Sequence, residues 1–225
     1  MICNRTGRLL TESFNIGDKS IECVKQYKYL GLVIQNNGNF NEAKKQLLHK
    51  GLKACFKLYK DVKASCPPIK TPLHLFDYCI KPIITYGCEN WGVINITPKR
   101  KSLSLFDIFK DWEFEKLNLK FCKYILGVTK KYTNIAVLSE LGIYPVSLLI
   151  HISMYCHRLE NSPSELLSRA FTELNSIVDK TTSSCHNSWY SNLLFYSDNL
   201  GIDLNICKNL SRNKFKILLK KKLFA

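Results

Sequence analysis

"YKYLGLVIQNNGNF", Tyr27 to Phe40, places aromatic and β-branched residues ahead of a polar turn of Asn36, Asn37 and Gly38. Such a run reads as a short strand that the Asn/Gly cluster ends. The pattern then changes at once. Asn39 and Glu42 are spaced as a loose capping box, and from Glu42 onward nearly every segment reads as helix. Upstream, "SFNIG" and "SIECV" flank the turn dipeptide Gly17-Asp18, giving a β-hairpin to which "YLGLVIQ" adds a third strand. The expected fold is therefore mainly α, with a small N-terminal antiparallel strand unit ahead of a multi-helix chain (α+β).

Leu48, Leu52, Cys55, Tyr59 and Val62 recur at steps of three and four, which predicts a helix with that side inward, ending before Pro67-Pro68. Lys50, Lys53, Lys57 and Lys60 keep the same period on another side. At 100° per residue the four fall within an arc of about 80°, a narrow stripe suited to a row of phosphates. The plain alternative is a solvated helix face. Against it, acidic residues that would alternate with lysine along such a face are missing between Lys44 and Lys60, and Phe56 and Tyr59 interleave with the lysines.

Thr71 and Pro72 mark the start of a second helix, kinked at Pro82 and ending near Gly92. Its Tyr86 and Trp91 read either as core or as stacking groups for bases. A third helix is predicted over residues 104–126, with Leu105, Ile108, Trp112, Leu119, Cys122 and Leu126 inward. The apolar stretch Leu141 to Cys156 is too short to span a membrane and reads as a buried helix. "NSPSE", from Asn161, starts a further helix, polar residues 179–188 separate it from the last helical region, and "RNKFKILLKKKLFA" is a basic tail. Its Lys220, Lys221 and Lys222 suit a nuclear address, a nucleic-acid arm or a frayed basic end.

The 225 residues carry a formal net charge of +15 and a pI near 9.4, a balance that favours a polyanionic partner. That charge is uneven: residues 1–132 hold 23 Lys/Arg against 11 Asp/Glu, and residues 133–225 hold 10 against 7. The ten cysteines are scattered, and Arg5 and Arg8 stand where a signal peptide would be apolar. Reduced thiols and an intracellular setting, nuclear or cytoplasmic, are expected, with no membrane partner.

Reaction chemistry is thin. The sequence has no Asp-Asp pair, no C-x-x-C, no G-x-S-x-G, no phosphate-binding glycine loop and no H-E-x-x-H. His151, Cys156, His157, Cys185 and His186 are the conceivable zinc ligands, but their spacing matches no common zinc module and core is the better reading. No catalytic residue, metal site or cofactor is expected.

The order "TGRLLTESFNIGDKSIECVKQYKYLGLVIQNNGNFNEAKKQLLHKGLKACFKL" followed by "PIKTPLHLFDYCIKPIITYGCENWG" resembles the C-terminal part of the reverse transcriptase of metazoan non-LTR (LINE-type) retrotransposons. "FCKYILGVTKKYTNIAVLSELGIYPVSLLIHISMYCHRL" is similar to the helical segment after the thumb in these polyproteins. The resemblance implies an end-of-palm strand unit over residues 1–38, a helical thumb over 39–130 and a C-terminal helical region over 131–225. It puts Tyr29, Leu30 and Gly31 at a primer-grip-like turn and Lys50, Lys53, Lys57 and Lys60 on the helix facing an RNA–DNA hybrid or RNA. For Tyr29 and Leu30 the plain alternative is strand core. The palm's metal-binding aspartates, and the magnesium they hold, are expected upstream of Met1, so the chain alone should not polymerise DNA. A basic helical protein-interaction module and a retroelement remnant without a role are the competing readings.

Overall fold

The computed structural model describes residues 14–21, 23–93, 109, 112–155 and 189–202, with isolated positions between 165 and 176 and between 214 and 222; of 151–155 it describes the backbone alone. Its two compact units are Met1–Gly87 and Cys88–Ala225. The expected strand unit and the first half of the expected thumb-like segment thus lie in the first unit, and residues 88–130 lie in the second. The mainly helical fold with small N-terminal antiparallel strand pairs is the one expected from the sequence.

In the first unit, β1 (Phe14–Ile16) and β2 (Lys19–Ile21) pair antiparallel around Gly17-Asp18, with Ile16 opposite Lys19. "YKYLGLVIQ" is not a third strand of that hairpin. It is a hairpin of its own, β3 (Gln26–Tyr29) and β4 (Leu32–Gln35), with Tyr29 opposite Leu32, and the two ribbons form separate sheets. The reversal takes place at Leu30 and Gly31, where φ is +46° and +85°. Positive φ at both central residues gives the twist that a two-residue hairpin loop needs.

Helix α1 (Asn41–Ser65) ends as expected, at Cys66 in the left-handed region just before the two prolines. Its start differs. The capping box does not form; instead Asn39 Oδ1 accepts the N–H of Asn41 at 3.2 Å. The buried stripe is also rotated from the expected one: Ala43, Leu47, Gly51, Cys55 and Leu58 are buried, while Leu48, Leu52, Tyr59 and Val62 are half-buried flanks. Gly51 thus belongs to the inward side.

The second helical run begins two residues earlier than expected, with α2 (Lys70–Leu75), passes through a π-helical turn (Phe76–Ile80) and continues as α3 (Lys81–Ile84). Pro82 lacks an N–H and its ring would crowd the carbonyl one α-turn back, so the wider turn just before it relieves both problems. All three segments pack along α1, which β4 also touches. Phe76, Ile80 and Ile84 supply fully buried side chains at steps of four. The run does not reach Gly92. It ends at Ile84, and the turn that follows passes through Gly87, φ +63°, where the Leu32 side chain occupies the space a Cβ would need.

The second unit contains α4 (Cys88–Trp91), α5 (Glu113–Leu126), α6 (Asn134–Leu141), α7 (Val146–Tyr155) and α8 (Trp189–Leu200). Trp112 is extended, so α5 starts at Glu113, and the expected residues 104–108 lie outside the described ones. Leu119 and Cys122 are buried as expected and pack with Val137 and Leu138, with Leu126 alongside. Trp91 stacks on Phe114 with ring centroids 5.1 Å apart, which makes it core. The apolar stretch from Leu141 is split by Gly142 in the left-handed region, and only Val146–Tyr155 is its helix.

Glu115 is a charged type in a core position, 3% exposed. One carboxylate oxygen accepts from Asn118 Nδ2 at 3.1 Å, and the other accepts from the Ser147 N–H at 3.2 Å and the Ser147 hydroxyl at 3.3 Å. It thereby accepts from the first turn of α7, where a helix's N–H groups have no acceptor within the helix. Burial holds its carboxyl above the usual Glu range, opposed in part by those hydrogen bonds. The folded chain therefore binds this proton more tightly than the unfolded one. Its contribution to stability is full below the ordinary Glu pKa and is lost as pH rises through the folded value. Glu115→Gln, which keeps an acceptor but cannot ionise, is expected to gain thermal midpoint relative to the native chain as pH rises from 4 to 8. A constant difference across that range would remove the assignment.

Candidate nucleic-acid interface

The four lysines of the stripe are set by the α1 period, and Lys50, Lys53, Lys57 and Lys60 are all exposed. At 1.5 Å of rise per residue they extend over roughly 15 Å, the length of about four phosphates of one strand. None of them makes an ion pair among the described residues. Other cations are engaged: Lys81 pairs with Asp77, Lys116 with Glu113 at 2.9 Å, and Lys123 Nζ donates to the carbonyls of Lys130 and Tyr132 at 2.9 and 2.8 Å. Lys44 is half-buried, and burial lowers its pKa, so it stands apart from the exposed row. Phe56 is exposed beside the stripe and meets Tyr59 edge-on at 6.2 Å.

Tyr29, Leu30 and Gly31 lie together at the tip of the β3-β4 ribbon. Tyr29 is 59% and Leu30 73% exposed, so the reading of these two as strand core does not hold. The Tyr86 hydroxyl donates to the Leu30 carbonyl at 2.7 Å, and a Cβ built on Gly31 would sit 3.5 Å from the Tyr86 ring. Tyr86 is thus the post that holds the turn, a role that sequence spacing does not suggest because 56 residues separate the partners.

No family model, curated protein or solved structure matches this chain.

Leu30 occupies a left-handed position that costs an L-residue about 1–2 kcal/mol, and its exposed side chain packs on little in return. Leu30→Asn, which suits that turn, is expected to raise the stability of the first unit by about 1 kcal/mol in urea unfolding. A loss of stability would mean that the Leu side chain supports the ribbon.

Burial, followed by the neighbouring Glu89 charge, pushes the Cys88 thiol up to about 12, so it remains protonated; it donates weakly to the Ile150 carbonyl at 3.9 Å. Six described cysteines, Cys23, Cys55, Cys66, Cys79, Cys88 and Cys122, are in no disulfide. Among the described residues no three His, Cys, Asp or Glu side chains gather as a metal site, and no helix is long and apolar enough to cross a membrane. The side chains of His151, Cys156, His157, Cys185 and His186 lie outside the described residues, as do the start signal at Asn161, residues 179–188 and Lys220.

Proposed function

We propose that this chain is a nucleic-acid-binding module that works like the thumb and following helical region of a non-LTR retrotransposon reverse transcriptase. In this reading α1 lies along an RNA–DNA template-primer and grips its backbone, while the Tyr29-Leu30-Gly31 tip sits toward the primer end. The observation that carries it is the exposed row Lys50, Lys53, Lys57 and Lys60, without an ion pair among the described residues, on a helix with no acidic residue between Ala43 and Lys60. Desolvating such a row against phosphates releases counterions and needs no base readout.

The sequence contains no paired aspartates, so the reading assigns binding and positioning to these residues and no phosphoryl-transfer step. Primer extension is expected only when a palm supplying the metal-binding acids is present in the same polypeptide. The setting is intracellular, nuclear or cytoplasmic, where the hybrid is made.

The test is anisotropy of a labelled RNA–DNA hybrid titrated with the full chain at several salt concentrations. A linear fall of log K with log salt is expected. Binding that ignores salt would leave the row as an ordinary solvated face.

A further inference from the structure

The second helical run, α2 to α3, turns Pro72, Phe76, Ile80 and Ile84 inward, and each of them is buried. Its other side should be polar. Instead His74, Tyr78, Pro82 and Tyr86 follow at the same spacing of four, all exposed, with exposed Leu75 and Cys79 beside them. Tyr78 is 81% exposed, and no hydrogen bond or ring contact engages it among the described residues. At the far end Tyr86 meets Leu30, so the apolar face continues onto the ribbon tip with Leu30 and Tyr29.

We infer that this outward face, from Leu75 through Tyr78 and Tyr86 to the Leu30 tip, is a stacking surface for unpaired bases of a single-stranded nucleic acid. The inference rests on the proposed function and deepens it by adding a single-stranded ligand to the duplex gripped by α1. Two features select this occupant. The sequence of the first unit holds 14 Lys/Arg against 6 Asp/Glu, which favours a polyanion. The exposed face presents the flat rings of Tyr78 and Tyr86 to solvent, and such rings are platforms for the π-face of a base. A continuous duplex hides those faces within its own stack; unpaired nucleotides present them together with phosphates.

The experiment compares full-length chain binding to a single-stranded oligonucleotide containing 2-aminopurine and to a blunt duplex of the same length. The native chain should quench the 2-aminopurine. Tyr78→Ala should lower affinity for the single strand roughly tenfold and abolish the quench, with duplex affinity unchanged, while Tyr78→Phe keeps the native behaviour. Unchanged single-strand affinity in Tyr78→Ala, or an equal loss on both ligands, overturns the inference. Salt-dependent duplex binding without single-strand binding overturns it and leaves the α1 row standing; absence of both overturns the two readings together. A dimer in solution that Tyr78→Ala disperses would assign the face to a second copy of the chain and likewise overturn it.

Discussion

Changing Lys50, Lys53, Lys57 and Lys60 to Glu is expected to flatten the salt dependence of hybrid binding by roughly three to four units of slope, because each phosphate that no longer meets a lysine lowers the slope by about 0.9. Over a fourfold change in salt that amounts to about two orders of magnitude in affinity change that the native chain experiences and the variant does not. The helix should survive the substitutions. All four positions are exposed, Glu and Lys have similar helix propensity, and the buried stripe of Ala43, Leu47, Gly51, Cys55 and Leu58 is untouched. The same four charge reversals placed at exposed Lys19, Lys25, Lys130 and Lys131 should move the slope less. An equal shift from either set would mean that net charge, rather than the row on α1, governs binding.

Gly87→Ala should be the most damaging small substitution in the first unit, by roughly 2–4 kcal/mol. Two costs coincide at one atom. The backbone there has φ +63°, which L-residues rarely adopt, and the new Cβ would stand 2.5 Å from Leu32 Cδ1, with two further Leu32 carbons at 3.3 and 3.4 Å. Leu32 is itself buried on β4, so its side chain has little free space into which to move aside. Urea unfolding of the full chain measures the loss. Adding Leu32→Ala should relieve the steric part and leave the backbone part, so the double variant should lose less than the two single losses added together. Strict additivity would separate Gly87 from Leu32.

Much of the helical framework is legible because period and punctuation agree. The two prolines at 67 and 68 mark the end of α1, Gly17-Asp18 marks the first hairpin, and Leu119 and Cys122 keep the inward step of α5. The misses share a cause: the deciding interaction is distant in sequence or hidden by residue type. The turn inside "YKYLGLVIQ" reads through as strand because Leu30 is a poor turn residue, and only Tyr86 explains how it is held. On α1, Leu48 and Leu52 offer as good a period as Leu47 and Gly51. Local period cannot choose between them; what packs along α1, the second helical run and β4, decides. Pro82 is a correct sign of trouble in that run, but not of the form the relief takes. Glu115 gives no local signal, since its partner at α7 lies 32 residues on.

The exposed row on α1 is also the part of the site the sequence describes best, since the four lysines need only the helical period to come together. Lysine acetylation followed by mass spectrometry, with and without a saturating RNA–DNA hybrid, tests it most directly. Lys50, Lys53, Lys57 and Lys60 are expected to be protected as a group, while exposed lysines elsewhere, such as Lys19 and Lys131, continue to react. Undiminished acetylation of those four in the bound complex would contradict the account.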